Sequence, residues 1–153
     1  YMFRGSHAIN LDAKGRLAVP TRYRERLAVD AEGLLVSTID PETRCLLLYP
    51  LPEWERIETQ LEALPSFNPV ARRIQRLLIG HAADLELDGQ GRILLPSVLR
   101  DYAGLTKKIM LVGQGKKFEI WDTTLWQNEC EQWLSEASQQ GGPLPDVVEE
   151  LAL

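Results

Sequence analysis

The chain has 153 residues, 44% of them hydrophobic, and a net charge of −5. That is enough apolar material for a buried core, which excludes wholesale disorder, and the length points to one or two small domains. No apolar run approaches the roughly 20 residues of a transmembrane helix, and the stretch before Ile9 lacks the apolar segment of a secretion signal; Tyr1 is read as a remnant ahead of Met2, the natural start, and a cytoplasmic location is expected.

In chain order, an extended segment first leads into Asp12-Ala13-Lys14-Gly15, where an Asp side chain bonds backbone amides and Gly supplies a positive φ. A short apolar strand, Leu17 to Val19, precedes Pro20, which suits the first turn of a short helix. Two aliphatic strands follow, Leu34 to Ile39 and Arg44 to Tyr49, and a helix begins near Pro52. Asn68-Pro69 is a capping and first-turn pair for a further helix that Gly80 stops. Val70, Ile74, Leu77 and Leu78 form its apolar face, and Arg72, Arg73 and Arg76 lie opposite.

The pattern then starts again. Asp88-Gly89-Gln90-Gly91 predicts a second turn, Ile93 to Leu95 a short strand, and Pro96 a short helix. Strands over Ile109 to Gly113 and Lys117 to Trp121 are joined by a tight turn at Gln114-Gly115-Lys116, and a last helix starts near Asp122. Trp126, Cys130, Trp133, Leu134 and Ala137 give that helix an apolar stripe suited to packing on the body or on a neighbouring subunit. The tail from Ser138 to Leu153, with Gly141, Gly142, Pro143 and Pro145, reads as adaptable.

The recurrence is a tandem duplication. Residues 10–24 match residues 86–100 at a spacing of 76 (12 to 88), with Asp, Gly, Arg, Pro and a second Arg coinciding. Leu48, Tyr49 and Trp54 match Ile120, Trp121 and Trp126 at a spacing of 72, the slip falling in loops, where length changes cost little. Four strands per half leave sheet edges exposed, and pairing the halves about a pseudo-two-fold axis would close one small barrel. The organisation expected is a first repeat over 5–54, a helical connection over 55–80, a second repeat over 81–126, and a C-terminal helix and acidic tail over 127–153.

Charge separates the two ends. All 17 Lys and Arg lie within residues 1–117, against 14 acids, whereas residues 118–153 hold eight acids and no base. Residues 1–27 carry six basic and two acidic side chains. This segregation gives an acidic protein a basic face for nucleic acid; two solvated faces of opposite sign are the plainer alternative. Residues shared by the halves, Asp12, Gly15 and Pro20 with Asp88, Gly91, Arg92 and Pro96, are assigned to the fold. Those that differ point to work done by one half: Lys14 becomes Gln90, Arg22 becomes Val98 and Arg26 becomes Tyr102. Arg22 and Arg26 share a helix face, and with Arg4, Lys14, Arg16 and Arg24 they make a candidate phosphate-facing surface. Arginine outnumbers lysine there, as bidentate recognition of guanine edges or phosphates favours. Arg16, matched by Arg92, equally suits an ion pair with Asp12 that holds the turn.

The paired motifs Asp12-Ala13-Lys14-Gly15-Arg16 and Asp88-Gly89-Gln90-Gly91-Arg92, each followed by an apolar triplet and Pro, resemble those of the MraZ family. So do Leu46-Leu47-Leu48-Tyr49-Pro50-Leu51-Pro52-Glu53-Trp54 and Arg76-Leu77-Leu78-Ile79-Gly80-His81-Ala82, and the likeness covers Met2 to Trp133. The resemblance implies a mainly β fold with flanking helices (α+β), a pseudo-two-fold double-split, swapped-hairpin β-barrel of the AbrB/MazE type built from two tandem repeats. It also implies a ring-shaped homo-oligomer that binds short G-rich direct repeats in double-stranded DNA, upstream of the bacterial division and cell-wall gene cluster, as a repressor associated with the nucleoid. Family DNA contacts map onto Lys14 and Arg16; Arg4, Arg22, Arg24 and Arg26 are added from charge placement. No cofactor, metal or small-molecule substrate is implied.

Two other classes compete. A small hydrolytic enzyme would draw on Asp12, Asp88, Glu86, Glu119, His7 or His81, yet no nucleophile elbow, phosphate loop or metal-ligand spacing accompanies them. Gly89-Gln90-Gly91 and Gly113-Gln114-Gly115 read as turns. Cys45 and Cys130, far apart in apolar segments, read as buried reduced thiols. An antitoxin-like protein would use the acidic C-terminal segment to cover a basic partner.

Overall fold

The computed structural model describes residues 2–139 and 150–151. The elements run β1 (Phe3–Asn10), β2 (Arg16–Ala18), α1 (Thr21–Ala31), β3 (Leu34–Ile39), β4 (Leu46–Pro50), α2 (Leu51–Glu62), α3 (Pro69–Leu78), β5 (Ala83–Glu86), β6 (Arg92–Leu94), α4 (Ser97–Ala103), β7 (Lys108–Gly115), β8 (Phe118–Asp122) and α5 (Thr123–Gln139). The chain repeats one order of elements twice, with α3 between, as the two matched segments require. Two units are distinct, Tyr1–Thr123 and Thr124–Leu153; the second comprises most of α5 and the tail, where Trp126 and Trp133 meet edge to face at 6.0 Å.

The halves are intertwined. The six-stranded sheet has the order β1-β7-β8-β4-β3-β5. Thus β1 of the first half pairs antiparallel with β7 of the second over its whole length, and β5 of the second half pairs with β3 of the first. Each half gives its leading strand to the other's hairpin. The pseudo-two-fold axis passes between β4 and β8, where Leu47 faces Glu119, its own equivalent 72 residues on. It also passes through the β2–β6 ribbon, where Leu17 faces Ile93, its equivalent at a spacing of 76.

Period-2 alternation sorts the strands' two faces. Leu35 and Ile39 of β3, Leu46 and Leu48 of β4, Ile109 and Leu111 of β7, and Phe118 and Ile120 of β8 face a core that also takes Leu17 and Ile93 from the ribbon, Tyr23 and Leu27 from α1, and Leu99 and Ala103 from α4. Val36, Leu47 and Tyr49 face the other way, under Trp54 and Leu61 of α2 and Ile74 and Leu78 of α3. The predicted apolar face of α3 is therefore divided, with Leu77 against the main core and Val70 half exposed. Asn68 caps α3, its side chain accepting from the amides of Val70 and Ala71.

The expected α+β swapped-hairpin arrangement of two tandem repeats is the one observed. Hydrogen bonding does not run unbroken around a barrel, however. Sheet and ribbon remain separate, and the bonds from Val19 N to Gly91 O and, equivalently, from Leu95 N to Gly15 O extend the ribbon by one residue at each end. Pro20 and Pro96 sit at the caps of α1 and α4 with extended ψ of 138° and 146°, so each helix starts one residue later than predicted. Most of the tail, predicted as adaptable, lies outside the described residues. No helix among the described residues is long and apolar enough to cross a membrane.

Candidate nucleic-acid interface

Asp12 builds the first turn. Its Oδ1 accepts from the amides of Lys14 (2.9 Å) and Arg16 (2.8 Å), while its Oδ2 accepts from Arg16 Nε at 2.6 Å. Gly15, at φ 86°, lets the chain reverse, and Lys14 is left exposed at the tip. These donors, with the Arg16 amide foremost, hold the Asp12 carboxyl at about 2. Asp88 repeats the arrangement with the amides of Gln90 and Arg92 and with Arg92 Nε at 3.1 Å. The pairing of β2 with β6 sets the two turns side by side: Arg92 Nη1 stands 3.9 Å from Asp12 Oδ2. Arg16 thus has the turn-holding ion pair allowed by its sequence, on a half-buried side chain at the dyad.

Arg24 goes elsewhere. Its Nε donates to Val19 O at 2.6 Å, and its guanidinium crosses the dyad to lie where a Cβ on Gly91 would stand. Arg100 mirrors it, donating from Nε to Leu95 O at 3.0 Å, with Cζ and Nε 2.7 Å from a Cβ built on Gly15. Each half's helix therefore braces the other half's turn. Arg24 is half-buried against backbone and braces the second turn. Arg100 escaped the sequence reading, although its match with Arg24 in the repeat was visible; equal conservation of a charge across both halves was the signal.

Arg4, Arg22 and Arg26 come together at the far end of β1. Arg22 Nη2 donates to Arg4 O at 2.9 Å and also meets Tyr23 Oη, and its guanidinium lies 4.6 Å from the Tyr23 ring centre. Tyr23 Oη donates to Arg4 O, and Arg26 Nη1 donates to Met2 O at 3.2 Å. These three arginines line an open depression of about 520 Å³ with Met2 and Tyr23. Asn10 lies six residues along the strand from Arg4, about 20 Å at 3.4 Å per residue. The candidate surface is therefore two groups, Lys14 with Arg16 at the turn and Arg4, Arg22 and Arg26 beyond β1, with Arg24 between halves.

The second half lacks these charges. Val98, in the place of Arg22, is 64% exposed, and Tyr102, in the place of Arg26, donates to Asp40 O and Thr43 O under the Arg44 guanidinium. The two histidines serve local contacts, His7 with Tyr23 Oη and His81 with Leu77 O. Cys45 is fully buried and Cys130 only half so, which corrects the expectation that both are buried. Cys45 Sγ stands within 4.8 Å of carboxylate oxygens of Asp40 and Glu119, but burial pushes its thiol up to about 12, which keeps it protonated and a poor nucleophile.

Two β-rich halves, exchanging strands and presenting paired Asp-x-x-Gly-Arg turns of unequal charge at a shared dyad, define a tandem-repeat swapped-hairpin protein. A family model described as "MraZ protein, putative antitoxin-like" matches residues 2–77 and again 78–141. The chain belongs to the MraZ family. It is 57% identical over 152 residues to a transcriptional regulator MraZ of Coxiella burnetii, covering 99% of this chain and 100% of the relative. Proteins of the same name from Alkalilimnicola ehrlichii and Legionella pneumophila are 59% and 54% identical over the same shares of each chain.

Proposed function

We propose that this chain is a cytoplasmic, nucleoid-associated transcriptional regulator that binds double-stranded DNA in sequence-specific fashion through the Asp12–Arg16 turn, and that it is not an enzyme. The observation that carries this reading is the turn itself: a loop clamped by five hydrogen bonds that holds Lys14 out beside Arg16 while the equivalent loop offers Gln90. Relatives of 54% to 59% identity named transcriptional regulators support it. Lys14 and Arg16 contact phosphate or guanine edges, and Arg4, Arg22 and Arg26 form a second phosphate-facing group beyond β1.

One such turn gives weak, salt-sensitive binding. A ring-shaped homo-oligomer presenting several first turns to evenly spaced short direct repeats would raise the effective concentration of each later contact. Repression of the division and cell-wall gene cluster is the proposed outcome. Gel shifts with a duplex from upstream of the gene, run beside a light-scattering mass, test this: Lys14→Ala should weaken binding and reduce the salt slope by about one with the mass unchanged. Binding unaltered by Lys14→Ala would refute the assignment, and a monomeric variant that binds the repeated site as tightly as the parent would refute the avidity.

The acidity of residues 118–153 (eight acids, no base) and the wording of the family description favour one second reading, an antitoxin-like module whose acidic segment covers a basic partner. Co-purification of a basic protein in stoichiometric amount would support it over a ring of one chain type.

A further inference from the structure

The two turns differ in what stands next to them as well as in their own residues. Leu11 N donates to Lys107 O at 2.8 Å, and Leu87 N donates to Gly33 O at 2.9 Å. Leu11 and Leu87 are repeat equivalents, so these are one bond made twice, and the loop after α4 lies along the first turn as the loop after α1 lies along the second. Lys107 thus stands where the first half has Gly33; the left-handed caps Glu32 and Gly104 correspond, and Leu105 and Thr106 are two residues the first loop lacks.

An open depression of about 480 Å³ lies between the first turn and the loop after α4, lined by Asp12 and Gly15 on one side and by Arg100, Thr106 and Lys107 on the other. Arg100 is fixed by its bond to Leu95 O and its seat over Gly15. Lys107 is exposed, and among the described residues no carboxylate pairs with it or with Lys14. Asp12, the one acid in the lining, has its charge answered by Arg16 at 2.6 Å and by two amides. At the second turn the corresponding loop is only Glu32-Gly33 and brings no cation in place of Lys107.

We propose that the loop Leu105–Lys107 is the second wall of the DNA site: a backbone phosphate enters the depression and is held by the Arg100 guanidinium, the Thr106 hydroxyl and the Lys107 ammonium while Lys14 and Arg16 contact the same strand. The inference rests on the reading of the Asp12–Arg16 turn as the DNA contact. Both repeats thereby contribute to one site. Duplication alone would give two, but Gln90 in place of Lys14 and Gly33 in place of Lys107 leave the second turn without these two cations.

The test compares the salt dependence of binding to the upstream duplex for the parent, Lys14→Gln, Lys107→Gln, and Arg72→Gln, which removes the same charge from α3. Lys107→Gln should lower the slope of log K against log salt by about one, as Lys14→Gln does, and Arg72→Gln should not. The backbone carbonyl that receives the Leu11 amide is unaffected by the substitution, and circular dichroism checks that the fold persists. A Lys107→Gln variant with the parent's slope, beside a Lys14→Gln variant that loses one, overturns the second wall and leaves the turn standing. If Lys14→Gln is equally silent, the turn is not the DNA contact and the second wall falls with it.

Discussion

Gly15→Ala tests the brace across the dyad. Gly15 sits at φ 86°, a conformation that costs an L residue about 1–2 kcal/mol. The added methyl would lie 2.7 Å from Cζ and Nε of Arg100 and 3.1 Å from its Cδ, well inside the roughly 3.5–4.0 Å of ordinary carbon contact. Relief requires Arg100 to swing away and give up the bond from Nε to Leu95 O, and a hydrogen bond from a charged group contributes about 1.5–3 kcal/mol. Together these predict a loss of about 2–5 kcal/mol. At about 2–4 °C per kcal/mol for a chain of this length, Tm should fall by roughly 4–20 °C. Denaturant melts of the purified protein read the free energy directly. Gly89→Ala is the control, because nothing lies within 4 Å of its Cβ and its φ is not positive. Combining Gly15→Ala with Arg100→Ala should cost less than the sum of the two, because the clash is counted in only one of them. Gly15→Ala within 0.5 kcal/mol of Gly89→Ala, an allowance typical of surface substitutions, would refute the reasoning.

Three further outcomes follow from the same geometry. The Asp12 carboxyl, lowered from 3.8 to about 2, binds its proton less readily folded than unfolded. Its contribution to stability is therefore complete above pH 3.8 and lost as pH falls towards 2; acid melts of Asp12→Asn should show a shallower decline over that window than the parent, and parallel curves would argue against it. Leu17 is fully buried at the dyad opposite Ile93, so Leu17→Ala should cost about 2–5 kcal/mol in a urea melt, whereas exposed Val29 (80%) changed to Ala should stay within about 0.5. With Cys45 fully buried and its thiol pushed up to about 12, iodoacetamide at pH 8 should label half-buried Cys130 first, and peptide mapping that finds Cys45 modified first would contradict the burial.

The duplication was legible because it leaves identical local chemistry in two places. Spacings of 76 and 72 name the residues that meet their own equivalents, Leu17 with Ile93 and Leu47 with Glu119. β3 was read to its ends, since six residues, five of them aliphatic or β-branched, bounded by Gly33 and Asp40 leave little choice. The exchange of β1 and β5 was implied by family resemblance only: a strand's own sequence does not say whether it pairs within its half or with the twin. The same blindness explains Arg24. Charge placement put it on the surface with Arg22 and Arg26, but its target, the space over Gly91, belongs to a segment 67 residues away (24 to 91). Arg4 and Lys14 likewise read as one basic stretch until β1 ran straight and separated them.

The crossed strands also govern how the molecule comes apart. Because β1 is seated on β7 and β5 on β3, neither repeat contains the partners of its own first strand, and neither can melt alone while its twin survives. In a symmetric pair of identical chains, any substitution falls in both turns at once. Joined head to tail, one copy can drift while the other keeps its chemistry, at no cost to the interlock.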